Sequence, residues 1–127
     1  MAIASDIKIF TIAIIGIAVL TSYLSYTISI FAQPSQNIII LPGASSPTSQ
    51  RFYDPPQKEI TRGTQVKWTN NDRVLHTVIS AANSTGDQFN SGLIAPSNTF
   101  SHTFRVSGHF AYYCSIYPWM TGRLVVN

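Results

Sequence analysis

The sequence predicts an all-β sandwich or barrel of about seven or eight short strands, preceded by one apolar N-terminal helix. Three observations carry that expectation. Past Pro34, short β-prone runs recur between Gly, Pro, Asn and Asp breaks, the spacing of antiparallel β folds rather than of alternating βα units. No window in that region holds a 3.6-residue apolar period over three turns, so amphipathic helices are not expected there. Ahead of Pro34, by contrast, Ile7 to Ala32 reads IKIFTIAIIGIAVLTSYLSYTISIFA, with Lys8 as its only charge and no proline.

At about 1.5 Å of rise per residue, a helix of that length exceeds the roughly 30 Å of bilayer hydrocarbon. A cleaved signal peptide with its apolar core at Ile9–Leu20 competes with an anchor. Ile30 and Ala32 make a poor small-x-small cleavage site, which favours retention. Residues 1–32 are therefore expected to be a single-pass membrane anchor, 33–36 a short tether and 37–127 the folded domain. Asp6 and Lys8 say little about orientation. The globular part following a signal anchor implies that it faces the extracytoplasmic side, or is secreted if the segment is cut.

Within the domain, Ile38–Leu41 is the first expected strand, closed by the Pro/Gly/Ser loop PGASSPTS. Phe52–Tyr53 follows and ends at Asp54-Pro55-Pro56. Glu59–Thr61 breaks at Arg62-Gly63, and Gln65–Thr69 at Asn70-Asn71-Asp72. Thr77–Ser80 ends before Asn83–Gly86. Phe100–Arg105 follows Ala95-Pro96, and Gly108–Tyr113 opens after Ser107. Arg123–Val126 is the last. Trp68, Phe89, Phe100, Phe104, Phe110 and Tyr112 sit at positions suited to the inward faces, where aromatic rings bury large areas. No repeat of solenoid or propeller length is present.

Composition excludes several classes of function. Charged residues make up 10% of the chain, against roughly 25% in ordinary domains, and the net charge is +3 with the Lys and Arg scattered. Nucleic-acid binding needs them gathered on one face, so none is expected. The five carboxylates Asp6, Asp54, Glu59, Asp72 and Asp87 form no spaced catalytic pair, and no Gly-rich phosphate loop occurs. Enzyme chemistry is disfavoured.

The single cysteine excludes an intramolecular disulfide. His76, Cys114 and Met120 are soft or borderline metal ligands placed where strands end. A thiolate, imidazole and a weak thioether are the donors that copper favours for electron transfer. Taken singly, each has an ordinary reading: a hydrogen-bonded histidine, a small buried hydrophobe, a core-filling thioether.

The order of several motifs decides between these readings. VKWTNND at Val66–Asp72 leads into His76-Thr77-Val78. GDQFNSGLI at Gly86–Ile94, FSHTF at Phe100–Phe104 and YYCSIYPWMTGRLVV at Tyr112–Val126 follow. From Ile38 onward this series resembles the plastocyanin/azurin-type cupredoxins, in particular the small membrane-anchored archaeal kind. The resemblance implies a Greek-key cupredoxin sandwich holding one copper ion in a type-1-like site. It makes His76 the first ligand, Cys114 the thiolate and Met120 the axial ligand. It further implies an electron route at Tyr113 and redox partners docking near the apolar rim of Pro118 and Trp119.

The chain departs from that pattern at one ligand. Where family members read Cys-x-x-His-Pro-Trp-Met, this sequence has Cys114-Ser115-Ile116-Tyr117-Pro118-Trp119-Met120. Tyr117 occupies the slot of the second histidine. A phenol reaches further than an imidazole and must lose a proton of pKa about 10 before it binds a metal. Three states stay open: a non-ligand tyrosine beside a three-coordinate or water-open copper, a phenolate ligand, or a site without metal. His102 and His109 lie at strand positions remote from the ligand end, and stepping back from Cys114 in twos leaves His109 on the opposite face.

The expected function is single-electron transfer through copper at the outer face of a membrane. The alternative is a copper-holding, copper-delivering or metal-free module that assembles with a larger membrane complex. Small-molecule redox catalysis at an open copper is a third reading.

Overall fold

Alternation of buried and exposed side chains turns the β-prone runs into sheets. The computed structural model describes residues 33–84 and 86–127. The expected anchor, Ile7–Ala32, lies outside the described residues. Among those described, no helix is long and apolar enough to cross a membrane. Eight strands form: β1 (Ser35–Ile40), β2 (Tyr53–Asp54), β3 (Gln57–Ile60), β4 (Thr64–Asn70), β5 (Ile79–Ser80), β6 (Thr99–Phe104), β7 (Gly108–Tyr113) and β8 (Thr121–Val126). Each expected run contributes one. In β4 the inward set is Thr64, Val66, Trp68 and Asn70, and in β8 it is Gly122, Leu124 and Val126, the period of two that a pleated strand imposes.

The strands close into a sandwich of two four-stranded sheets, ordered β2-β1-β4-β6 and β3-β8-β7-β5. β1 runs parallel to β4 with Ile38 opposite Trp68 and Ile40 opposite Asn70. β6 is antiparallel to β4, and β7 is antiparallel to both β5 and β8. Because the chain passes between the sheets after β2, β3, β4, β5 and β6, residues distant in sequence meet at the sandwich ends.

Every strand but β7 shifts by one to three residues from the expected run, and two of the shifts have a clear cause. β1 begins at Ser35, inside the 33–36 stretch expected to be a tether, because Ser35 and Gln36 pair with Gln65 and Val66. Gln33 is also held, its Nε2 donating to the Gly63 carbonyl at 2.9 Å. β5 retains only Ile79 and Ser80 of the run Thr77–Ser80. Thr77 is instead drawn out of the ladder to hydrogen-bond residues around Cys114.

The core lies between the sheets. Ile38, Ile40, Val66, Trp68, Phe104, Phe110, Tyr112 and Leu124 are fully or almost fully buried, each large apolar side chain contributing about 1.5–3 kcal/mol. Trp68 is the hub, with ring centroids 5.7 Å from Phe89, 5.7 Å from Phe100 and 5.5 Å from Tyr112. Tyr53, on a strand of only two residues, is buried as deeply and meets Tyr112 edge-on at 4.9 Å. Gly122 is opposite Tyr112 in the β7–β8 register, and a Cβ there would overlap the Tyr112 ring. Gly63, at φ 86°, supplies the left-handed turn into β4.

Candidate metal centre

β1 and β4 end side by side at Ile40 and Asn70, and the loop leaving β4 is pinned at that end. The buried Asn70 amide donates to the Val74 carbonyl at 2.8 Å and to the Ile94 carbonyl at 2.9 Å. Its Oδ1 accepts the Asp72 N–H at 2.9 Å. His76 then pairs with Ile94 through two backbone hydrogen bonds of 3.2 and 2.8 Å. The NND turn therefore does more than break a strand. It holds His76 in a fixed, fully buried position.

Asp72 fixes the imidazole. Its Oδ2 lies 2.8 Å from His76 Nε2, while its carboxylate accepts the backbone N–H groups of Gly43 and Arg73, each at 2.9 Å, and of Ser45 at 3.4 Å. Burial alone would raise the Asp72 pKa, but these donors outweigh it and hold the carboxyl below its ordinary value. With Nε2 engaged by a carboxylate, Nδ1 is the nitrogen left to face a metal.

Cys114 follows the last residue of β7 and continues its inward line through Phe110 and Tyr112. Its Sγ lies 3.6 Å from His76 Nδ1. The Thr77 backbone N–H donates to Sγ at 3.4 Å and the Thr77 hydroxyl lies 3.8 Å away. Burial would push the thiol pKa up. The hydrogen bond to His76 and the N–H groups of Thr77, Tyr117 and Ile116 overcome that and lower it to about 6. For His76, burial works against the charged form, but the thiolate and the Asp72 carboxylate raise its pKa. A stabilised thiolate facing an oriented imidazole is a metal-ready pair.

The spacing fits an ion. A first-row metal held by a thiolate at about 2.3 Å and an imidazole at about 2.0 Å, with a tetrahedral or wider angle, sets the donors roughly 3.5–3.7 Å apart. Among the described residues, no group of three or more His, Cys, Asp and Glu side chains is arranged to hold a metal. A third donor must therefore be of another kind. Met120 is fully buried in the same core cluster as Cys114. Its carbonyl accepts the Cys114 N–H at 3.2 Å, and its own N–H donates to the Tyr117 carbonyl at 2.9 Å. The loop thus returns Met120 to Cys114.

Tyr117 is half-buried and packs its ring 5.3 Å from that of His76 and 5.7 Å from that of Trp119. Its hydroxyl makes no hydrogen bond among the described residues, so nothing ties that oxygen to His76 Nδ1 or Cys114 Sγ. Tyr113 pairs with Ile79 at the end of β7. Pro118 and Trp119 are exposed, and Val74, Leu75, Leu93 and Ile116 form further exposed apolar positions on the loops that carry His76, Ile94 and Cys114. His102 lies within β6, between Phe89 at 5.0 Å and Phe104 at 4.9 Å, and His109 is exposed on β7.

Sequence reasoning missed Asp72, Thr77 and Ser115. In the sequence Asp72 is one of five carboxylates without a spaced partner. A carboxylate four residues before a candidate ligand histidine was the available signal, because metal-bound imidazoles are commonly oriented by one. Thr77 and Ser115 carried no such signal. The Ser115 N–H donates to Thr77 Oγ1 at 2.8 Å and the two hydroxyls lie 2.9 Å apart, a contact made only when the two loops meet.

Known proteins share this architecture. The model of the family described as copper binding proteins, plastocyanin/azurin family, matches residues 44–127. Amicyanin of Paracoccus denitrificans is 29% identical over 76 residues, which are 59% of this chain and 58% of amicyanin. Amicyanin-alpha of Methylorubrum extorquens is 30% identical over 76 residues, 59% of this chain and 64% of that protein. The matched region thus spans less than two thirds of these relatives' length. A solved purple cupredoxin from Nitrosopumilus maritimus is 38% identical with a TM-score of 0.66, covering 72% of this chain and 98% of that one. A Cu(I) form of an amicyanin variant, 21% identical with a TM-score of 0.60 over 73% of this chain and 82% of its own, shares the fold.

Proposed function

The chain belongs to the plastocyanin/azurin family of copper-binding proteins, whose members hold one copper ion, and on that premise we propose that it carries single electrons through copper at Cys114 and His76. The observation that supports this most directly is the buried 3.6 Å pair of Cys114 Sγ and His76 Nδ1. Copper supplies the one-electron couple. Cys114 and His76 would be the strong donors that hold it, and Met120 would add a weak thioether. Asp72 keeps the imidazole in the tautomer that leaves Nδ1 free, and the N–H groups aimed at Sγ stabilise thiolate charge with dipoles that need not move between redox states.

Tyr117 acts in this reading as a packing neighbour of His76 rather than a ligand. Its ring packs on the imidazole on one side and on Trp119 on the other, and among the described residues its hydroxyl makes no hydrogen bond. The exposed apolar positions Val74, Leu75, Leu93, Ile116 and Trp119, with Pro118, on the loops that carry His76, Ile94 and Cys114, suit brief docking of a redox partner. Tyr113, next to Cys114, offers an exit route. Residues 1–32 hold the domain at the outer face of a membrane.

One observation favours a second reading. Without a second imidazole the donors are sulfur, nitrogen and sulfur, a soft set that favours Cu(I). The protein would then hold or deliver copper, or join a larger membrane complex. Copper titration and voltammetry of the full chain separate these. A sulfur-to-Cu(II) charge-transfer band that saturates at one equivalent, vanishes in Cys114→Ala and accompanies a reversible couple supports the carrier. Tight Cu(I) binding without reoxidation supports the holder, and a chain that takes no copper sinks both copper readings and supports the assembly module.

A further inference from the structure

The Thr77 hydroxyl stands at the junction of three polar neighbours. The backbone N–H of Ser115 donates to Thr77 Oγ1 at 2.8 Å, Ser115 Oγ lies at 2.9 Å, and Cys114 Sγ lies at 3.8 Å. A threonine hydroxyl has one proton and two acceptor sites. The Ser115 N–H must fill one of the acceptor sites. The single proton can therefore go either to Ser115 Oγ or to Cys114 Sγ.

Burial decides between them. Cys114 is fully buried, so no water can serve its sulfur. Ser115 is exposed, so water can serve its hydroxyl. A hydrogen bond to an ionised acceptor is roughly twice as strong as a neutral one. The Ser115 hydroxyl then donates into the second acceptor site of Thr77, and every group in the cluster is satisfied.

We propose that the Thr77 hydroxyl donates to the Cys114 sulfur as a positioning residue, and that this side-chain bond, added to the Thr77 backbone N–H, tunes the copper couple. The proposal rests on the reading of Cys114 as the copper thiolate. A bond to the sulfur withdraws charge from it and favours Cu(I), the less charge-demanding state. The Thr77–Ser115 contact alone would be a clamp between loops with no such effect.

Three variants of the full chain separate tuning from clamping. Thr77→Val removes the donor, Thr77→Ser retains it, and Ser115→Ala removes the neighbouring hydroxyl but keeps the backbone donor. Thr77→Val is expected to lower the reduction potential by the equivalent of about a tenfold change in the Cu(I)/Cu(II) affinity ratio, about 59 mV for one electron. Its sulfur-to-copper band should move to lower energy. Thr77→Ser should restore both values, and Ser115→Ala should keep the potential at or above the original. Should Thr77→Val fail to fold, the direction of the Thr77 hydroxyl proton in the copper-free protein decides, because a mere clamp turns it toward Ser115. In the copper-free protein, the Thr77 hydroxyl proton is expected to show nuclear Overhauser contacts to the Cys114 β-protons rather than to those of Ser115. A potential unmoved in Thr77→Val, or lowered in Ser115→Ala, overturns the proposal while leaving copper at Cys114 intact. A wild-type protein without the sulfur-to-copper band overturns the underlying reading, and the tuning role with it.

Discussion

Asp72 Oδ2 sits 2.8 Å from His76 Nε2, and both side chains are buried. The four-residue separation brings them together only because Asn70 folds the intervening turn back on itself. The carboxylate is itself held by backbone donors from Gly43 and Ser45 on a different loop, so the imidazole orientation depends on two loops at once.

Asp72→Ala should therefore weaken copper binding by about 10–100-fold, the usual effect of losing a group that orients a ligand. Competition against a Cu(I) chelator measures it. Unchanged affinity in a folded variant would show that Asp72 only tethers the loop.

Tyr117 can be tested in two directions. Tyr117→Phe should leave the copper spectrum where it is, because no hydrogen bond among the described residues directs the hydroxyl into the site. Tyr117→His should add a nitrogen donor and raise Cu(II) affinity relative to Cu(I), lowering the potential. A charge-transfer band lost in Tyr117→Phe would instead identify a phenolate ligand.

Gly122→Ala should destabilise the domain by about 1–3 kcal/mol, the usual cost of overpacking, since its Cβ would overlap the Tyr112 ring. Denaturant unfolding reads the loss. In a Tyr112→Leu background, the same Gly122→Ala change should cost less than it does in the parent. An unaltered midpoint in the single variant would mean that the β7–β8 pair moves apart freely.

His102 predicts a pH dependence. Burial among the aromatic rings is the main cause of its lowered pKa; Arg105 adds to the lowering and Asp87 opposes it. The folded state thus favours the neutral ring. Its stabilising contribution is present above the ordinary histidine pKa of about 6.5 and is lost as pH falls through the folded value. His102→Phe should flatten that part of the stability profile in the copper-free protein. Thermal melts between about pH 7 and 5 check it, and parallel profiles for the two proteins would refute it.

Much of the fold was legible because its signals are local. Alternation along Thr64–Asn70 and Thr121–Val126 needs only the pleat, and Arg62-Gly63 marks a break because glycine reaches a left-handed φ. Tyr53 was harder. Its strand has two residues, too few for alternation to register, and its deep burial comes from packing against Tyr112 across the sandwich. The start of β1 was missed for a similar reason. Ser35 and Gln36 are polar, and their place in the sheet comes from backbone pairing with β4 rather than from their side chains.

The sequence by itself determined the strand series, the inward aromatic set and the donor types at His76, Cys114 and Met120, because side-chain chemistry and short-range periodicity are written residue by residue. Only the tertiary structure decided that Cys114 Sγ would face His76 Nδ1, that Asp72 would take Nε2, and that Thr77 would reach the sulfur. Those contacts are hydrogen-bond distances between groups as many as 37 or 38 residues apart. They exist only once two sheets pack and their loops are brought to one end.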